Sequence, residues 1–299
     1  MKATKTRSNA MLFANSQKLS QTKGGIAVKA TDVKANVVIV ANCYELAQEA
    51  LGLFVRDARK AIKAKGRFCA AISRHTPSRF FRLLGEQGES KEQAWDKIHL
   101  FWVDECCGPR DFRDTNHNIG ACSFIGKAGI PAENVHQISC ENRNCGYVAS
   151  RYEQTIHNVV GLEKDGMPRF DLIILGMDAD GHIASLYPDT YAFFDTQETV
   201  CVIYFMDGRY TRITLSNPVL CAASHIAVLV RGEEKARILR EVLTAKRDEV
   251  RYPIHSIWPI LDKVTWLVDR NAGKYLLRGC RSNKTVRGSL ESIEPYRRL

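Results

Sequence analysis

The chain has 299 residues, 45% of them hydrophobic and 25% charged, the balance of an ordinary globular protein. No apolar run approaches the ~18 residues that a membrane helix needs. The formal net charge of +10 favours anionic partners, nucleic acid or phosphorylated small molecules. Much of that charge sits at the ends, in an acid-free stretch from Met1 to Thr31 and in Arg281, Lys284, Arg287, Arg297 and Arg298. The body is nearer neutrality, so nucleic acid is disfavoured as a partner.

Met1 to about Ala35 is polar and basic and reads as a disordered leader. Val37 to Val40 is a short β-branched strand. Asn42 with Glu45 three residues on resembles a capping box, and the helix that follows runs to about Lys65, ended by Gly66. Phe68 to Ile72 is a buried strand. It leads into Ser73-Arg74-His75-Thr76-Pro77, with Thr76 as N-cap and Pro77 at the first helical position of a helix to Leu84. Lys91 to Lys97 reads as helical. His99 to Val103 is a third strand that ends in Asp104-Glu105-Cys106-Cys107. A helix is expected from Asp114 through Asn116 to Ile125, an edge-like strand from Val135 to Ile138, and a helix from Ser150 to Val160.

Phe170 to Leu175 is almost wholly apolar, as in strands of a parallel sheet buried on both faces. It breaks at Gly176 and delivers Asp178, Asp180, Gly181 and His182 within seven residues. Val200 to Phe205 is a further strand. Tyr210 to Ser216 alternates polar and apolar, which predicts a strand with one exposed face. Asn217-Pro218 starts a short helix, Ile226 to Val230 is buried strand, and Gly232-Glu233-Glu234-Lys235 opens a helix to Leu243. A loop with a short helix spans Pro253 to Leu261. Val264 to Val268 is the last strand, and a helix from Ala272 to Leu277 closes the domain.

Strand and helix alternate throughout. That pattern predicts one Rossmann-like α/β domain over residues 36–278, a doubly wound, mostly parallel sheet with helices on both faces, followed by a basic tail at 279–299. In such sheets ligands bind outside the carboxyl ends of the strands. The loops after Ile72, Val103 and Leu175 are therefore the candidate sites. A loop that runs at once into a helix N-terminus, as at Ser73 to Pro77, is also a ready phosphate site. The ten cysteines form no Cys-x-x-Cys pair, so a zinc ribbon or dithiol redox motif is disfavoured. Several lie in apolar stretches as small hydrophobes, which favours a reducing, cytosolic compartment.

Gly176-Met-Asp-Ala-Asp-Gly-His-Ile-Ala-Ser-Leu-Tyr-Pro188 closely resembles the signature of 6-phosphogluconolactonases, relatives of the glucosamine-6-phosphate deaminases and isomerases. The deaminases share the Asp-Gly-His core but continue differently after it. Phe101 to Glu105, Asp114-Thr115-Asn116, Ile130 to His136, Arg212 to Ser216, Gly232 to Lys235 and Val264 to Asp269 match further blocks of the family, in order, over about residues 36–278. The resemblance implies a fold of the sugar-phosphate isomerase type and hydrolysis of a phosphorylated sugar δ-lactone, 6-phosphogluconolactone. His182 would be the general base and Asp180 its orienting carboxylate. Ser73, Arg74, Thr76, Asp104, Glu105, Asn116, Gly176, Asp178, Gly181 and Arg212 would line the substrate, with backbone N–H groups around Gly176 and Gly181 as candidates for the oxyanion. The scheme requires no metal and no cofactor.

Two departures fall on phosphate binding. The family's Ser-Gly-Gly-Ser/Thr-x-Pro loop becomes Ser73-Arg74-His75-Thr76-Pro77, and its Asp-Glu-Arg becomes Asp104-Glu105-Cys106. Arg74 is expected to supply from the loop the charge that Cys106 no longer supplies from the strand. Two alternatives stay open: a relative of altered specificity or without activity, and a deaminase-like isomerase. The sequence carries no mark of oligomeric state.

Overall fold

The computed structural model describes residues 35–87, 93–108, 125–140, 144–188, 190 and 197–276, together with the backbone of Val286–Ser289. In chain order the principal elements are β1 (Asn36–Val40), α1 (Cys43–Lys65), β2 (Phe68–Ile72), α2 (Ser78–Glu86), β3 (Ile98–Trp102), β4 (Asp104–Cys106), β5 (Val135–His136) and α3 (Cys145–Val159). There follow β6 (Leu172–Gly176), β7 (Val200–Ile203), β8 (Arg212–Leu215), α4 (Asn217–Ala222), β9 (Ile226–Val230), α5 (Ala236–Thr244), β10 (Val264–Asp269) and β11 (Val286–Ser289).

The main sheet has the order β11-β1-β10-β9-β6-β2-β3-β5, with every pair parallel except β11 on β1. β2, β6 and β9 are buried at every position, as two-sided cover requires. The alternation of side chains along β2 shows which helix covers which face. Phe68 packs edge-on against Phe54 of α1, with ring centroids 5.1 Å apart. Ala71 points the other way, and its register partner Phe101 meets Tyr152 of α3. Helices thus lie on both faces. α1 is fixed at its ends as the sequence predicts. Asn42 Oδ1 accepts from the N–H groups of Tyr44 and Glu45, Glu45 reaches back to the Ala41 N–H, and Gly66 closes the helix at φ 79°.

From β2 the chain moves outward to β3 and β5 on one side, and β6, β9 and β10 build the other. The order therefore reverses between β2 and β6, the place where an open α/β sheet forms its ligand crevice. A second sheet, β4-β8-β7, is antiparallel and was not anticipated. It grows from the end of β3, where Val103 N donates to Ile72 O and Val103 O accepts from Leu215 N.

Several local expectations are corrected. β8 has no exposed face: Arg212 and Thr214 are as buried as Ile213 and Leu215. α2 begins at Ser78 with Pro77 in the cap position, so Thr76 caps nothing. Of the helix expected over Lys91 to Lys97, the described residues 93–97 hold one 3-10 turn, Trp95–Lys97. α3 starts at Cys145, earlier than expected, because Asn144 caps it through the Tyr147 N–H. Residues 270–276 form turns in place of a closing helix. β11 adds to the edge at β1, where no strand was expected. The leader to residue 34 and the helix expected from Asp114 lie outside the described residues. Among those described, no helix is long and apolar enough to cross a membrane.

Candidate active site

The loop after β6 is a tight turn built from its own polar groups. Gly181 N donates to Asp178 O and Asp178 N donates to His182 O, both at 3.1 Å. Gly181 takes φ 83°, a conformation that favours glycine. The Gly181 N–H is thus spent inside the turn and is not offered to an oxyanion, as the sequence had suggested it could be. Ala184 sits at φ 54°, strain of about 1–3 kcal/mol that the surrounding structure must hold.

That turn aims His182. Its Nδ1 lies 2.7 Å from Asp180 Oδ1, which also accepts from the His182 N–H at 3.1 Å. An ionised carboxylate only accepts, so Nδ1 carries the proton and Nε2 keeps its lone pair. Burial would raise the Asp180 carboxyl, but the hydrogen bond and charge of His182 outweigh it and hold the group below its ordinary value. The imidazole is buried and rests 4.3 Å from the Tyr187 ring, while Asp180 is open to solvent.

The loop after β2 closes on this pair. Ser73 N continues the ladder to Ile174 O, and the Ser73 hydroxyl accepts from the His75 N–H. The His75 ring stands edge-on to His182, with centroids 6.0 Å apart. Gly176 makes this approach possible, since a Cβ there would collide with the Cβ of His75. Arg74 Nε donates to His75 Nε2 at 3.2 Å, which leaves the ring proton on Nδ1, 4.0 Å from Asp178 Oδ2. Burial, reinforced by the Arg74 charge, pushes His75 down to about 4. Arg74 also acts electrostatically on Tyr187, whose phenol burial holds above its ordinary value. The Thr76 hydroxyl is buried with no protein partner among the described residues.

Asp178 takes a cation as neighbour. Lys235 Nζ donates to Met177 O at 2.7 Å and stands 3.5 Å from Asp178 Oδ1. Burial opposes ionisation of Asp178, and Lys235 and His75 more than offset it. His75, Asp178 and His182 each offer one ligand atom within 4.8 Å of the others. The Arg74 donor on His75 and the Lys235 ammonium beside Asp178 place positive charge in that same space. This charge suits an anionic or polar ligand better than a metal ion.

Asp104 and Arg212, expected at the substrate, are turned on each other. Arg212 Nη2 lies 2.7 Å from Asp104 Oδ2, and Ser185 bridges them, accepting from Arg212 Nε at 2.5 Å and donating to Asp104 at 2.7 Å. Asp104 is fully buried and Arg212 nearly so. Burial opposes both charges, and each partner offsets it for the other, lowering the carboxyl and raising the guanidinium. Thr214 Oγ1 receives the Ser185 N–H at 3.3 Å. The second sheet therefore clamps the turn that carries His182 from behind. Glu105 is also buried, accepting from the Cys106 N–H, and Cys106 lies buried in register with Arg212. Asn116 lies outside the described residues. His75, Ser185, Tyr187 and Lys235 were not singled out from the sequence. Ser185, Tyr187 and Lys235 carried a signal only as members of matching blocks, and His75 only as part of the departing loop.

The family model for glucosamine-6-phosphate isomerases/6-phosphogluconolactonase matches residues 41–266. The chain belongs to this family. A 6-phosphogluconolactonase of a Nostoc species is 32% identical over 228 residues, covering 76% of this chain and 92% of that protein. A chloroplastic 6-phosphogluconolactonase of Arabidopsis thaliana is 31% identical over 224 residues, 73% of this chain and 68% of that one. Among solved structures, a 6-phosphogluconolactonase from Trypanosoma cruzi superposes with a TM-score of 0.70 at 20% identity, covering 85% of this chain and 99% of that one. At that identity the likeness shows the shared fold. The turn that carries Asp180 and His182 follows β6 at the strand-order reversal, the edge where an open α/β sheet binds ligands.

Proposed function

We propose that this member of the family hydrolyses 6-phosphogluconolactone to 6-phosphogluconate. The observation that carries the reading is the oriented His182, its Nδ1 proton fixed on Asp180 and its Nε2 lone pair available. The relatives of 31–32% identity that bear the lactonase name favour this reaction over the deaminase branch of the family.

In this scheme His182 Nε2 takes a proton from water as its oxygen attacks the lactone carbonyl. Asp180 stabilises the imidazolium that forms. Collapse of the tetrahedral intermediate breaks the bond to the ring oxygen, which takes the proton back from His182. The products are a carboxylate, with one proton released, and a free hydroxyl. Arg74 meets the substrate phosphate, helped by the unpartnered Thr76 hydroxyl. The guanidinium thus replaces the charge absent at Cys106. His75 fills the space that glycines would leave open and holds Arg74 in place. The abundance of cysteines packed as apolar side chains supports a reducing, cytoplasmic setting.

The test is a coupled assay on freshly generated lactone, corrected for spontaneous hydrolysis. His182→Ala is expected to lower kcat by about 10²–10⁴-fold with an unchanged circular-dichroism spectrum. Arg74→Ala is expected to raise KM by roughly 10- to 100-fold, the worth of a charged hydrogen bond. Wild-type turnover no faster than background would sink the lactonase reading. An unchanged KM in Arg74→Ala would sink the compensation by Arg74 alone.

A further inference from the structure

The turn after β6 spends its backbone donors on itself. The Asp178 N–H donates to His182 O and the Gly181 N–H to Asp178 O. The Ala179 N–H donates to Asp178 Oδ1 at 2.9 Å, and the His182 N–H to Asp180 Oδ1 at 3.1 Å. Attack of water on a lactone puts negative charge on the carbonyl oxygen, and a preorganised donor has to meet it there. Two cations of the site are already engaged, Lys235 on Met177 O and beside Asp178, and Arg74 on His75.

One neutral donor packs directly on His182. The Tyr187 ring lies 4.3 Å from the imidazole, tilted by 32°. Its backbone is locked: the Tyr187 N–H donates to Thr190 Oγ1 at 2.8 Å, and Tyr187 O accepts from the Thr190 hydroxyl at 2.8 Å and the Thr190 N–H at 2.9 Å. Phe205, from the β7–β8 connection, meets the ring edge-on at 5.4 Å. From the same connection the Arg209 guanidinium lies 5.3 Å over the Tyr187 ring and 3.8 Å over that of Phe205. The ring is thus held against His182 from several sides. Every hydrogen bond that Tyr187 makes among the described residues is made by its backbone, which leaves the phenolic hydroxyl to a ligand. Burial holds the phenol above its ordinary value, so it remains a donor at neutral pH, and the charges of Arg212, Asp104, Arg74 and Asp180 all reach it. Arg74 and Asp180 come from the two loops that close on each other, so the phenol is within reach of both.

We propose that Tyr187 is a catalytic residue of this chain, its hydroxyl donating a hydrogen bond to the lactone carbonyl oxygen as water adds to the carbonyl carbon. The inference rests on the lactonase reading. The phenol keeps its proton throughout. Its hydrogen bond strengthens as the C=O electron pair moves onto oxygen, and relaxes when the tetrahedral intermediate collapses and the bond to the ring oxygen breaks. Proton transfer stays between water, His182 Nε2 and the leaving ring oxygen. The plain alternative is packing, with Tyr187 only an apolar wall for His182. The two differ at a single oxygen, because phenylalanine keeps the wall and removes the donor.

The full chain and its Tyr187→Phe variant are compared on freshly generated 6-phosphogluconolactone, with spontaneous hydrolysis subtracted. Tyr187→Phe is expected to lower kcat by about 10²–10³-fold, the usual loss of one oxyanion donor, while KM and the circular-dichroism spectrum stay those of wild type. An active wild type with an equally active Tyr187→Phe would overturn the role of Tyr187 and leave the lactonase reading standing. A raised KM at unchanged kcat would overturn it too, since the hydroxyl would then contact the bound substrate and not the transition state. Wild-type turnover no faster than background would sink the lactonase reading and this inference together. Fluorinated tyrosines placed at position 187 keep the shape of the ring and sharpen the donor. At a pH where the phenol stays protonated, kcat is expected to change in step with phenol acidity. A kcat indifferent to that acidity would overturn the proposal even if Tyr187→Phe folded poorly.

Discussion

His75 is the residue on which this chain's site turns. A side chain stands where the family loop has glycine, and three neighbours adapt to it: Gly176 below, Arg74 on Nε2 and Asp178 facing Nδ1. Burial and Arg74 depress His75 to about 4, so it is neutral in the folded protein at neutral pH. In the unfolded chain it titrates near ~6.5. Between those values the unfolded state binds a proton that the folded state does not, so stability rises with pH across the window and is lost on acidification. The full shift is worth at most about 3 kcal/mol at pH 4. His75→Gln is therefore expected to flatten the fall of Tm between pH 6.5 and 4. His136, also depressed to about 4 by burial and by His99, keeps part of the slope in the variant. A Tm-against-pH curve for His75→Gln parallel to wild type would show that the His75 imidazole is not held neutral.

At the scale of elements, the second sheet explains why the turn after β6 can hold Ala184 in a strained conformation. Ser185 is fastened to Thr214, Asp104 and Arg212, and the last three belong to β4 and β8. Asp104→Asn leaves the Arg212 guanidinium buried without its counter-ion. It is expected to cost about 3–5 kcal/mol and lower Tm by roughly 6–15 °C. A variant with wild-type Tm but a raised KM would assign Asp104 to the substrate instead. This sheet was the least legible part of the sequence. β2, β6 and β9 announce themselves because two-sided burial needs an unbroken apolar run. Arg212 and Thr214 alternate with Ile213 and Leu215 exactly as an exposed face would, since alternation reports polarity and not exposure. Asp180 and His182 were legible because their hydrogen bond spans two residues. Lys235 on Asp178 and Ser185 on Asp104 were not, because each contact joins segments more than 50 residues apart.

For the whole molecule the open question is how the sheet ends. The β5 edge is two residues long, which limits its capacity to template another strand. The other edge would be β1, Asn36-Val37-Val38-Ile39-Val40, an apolar five-residue strand held on one side by β10. β11 covers it, pairing antiparallel from Asn36 opposite Ser289 to Ile39 opposite Val286. The basic C-terminal segment thus serves the fold through its backbone, whatever its charge does in solution. Deleting residues 279–299 strips β1 of these hydrogen bonds and exposes an apolar strand edge. A loss of about 1–2 kcal/mol is expected, lowering Tm by roughly 2–8 °C, with light scattering that grows with protein concentration. The His182 group lies at the reversal between β2 and β6, with β9 and β10 standing between it and β1, so turnover per folded molecule should be unchanged. If the shortened chain melts at the wild-type temperature and stays monodisperse on concentration, β11 contributes nothing to the edge. If turnover falls while Tm holds, the tail acts on the catalytic crevice instead of on the sheet.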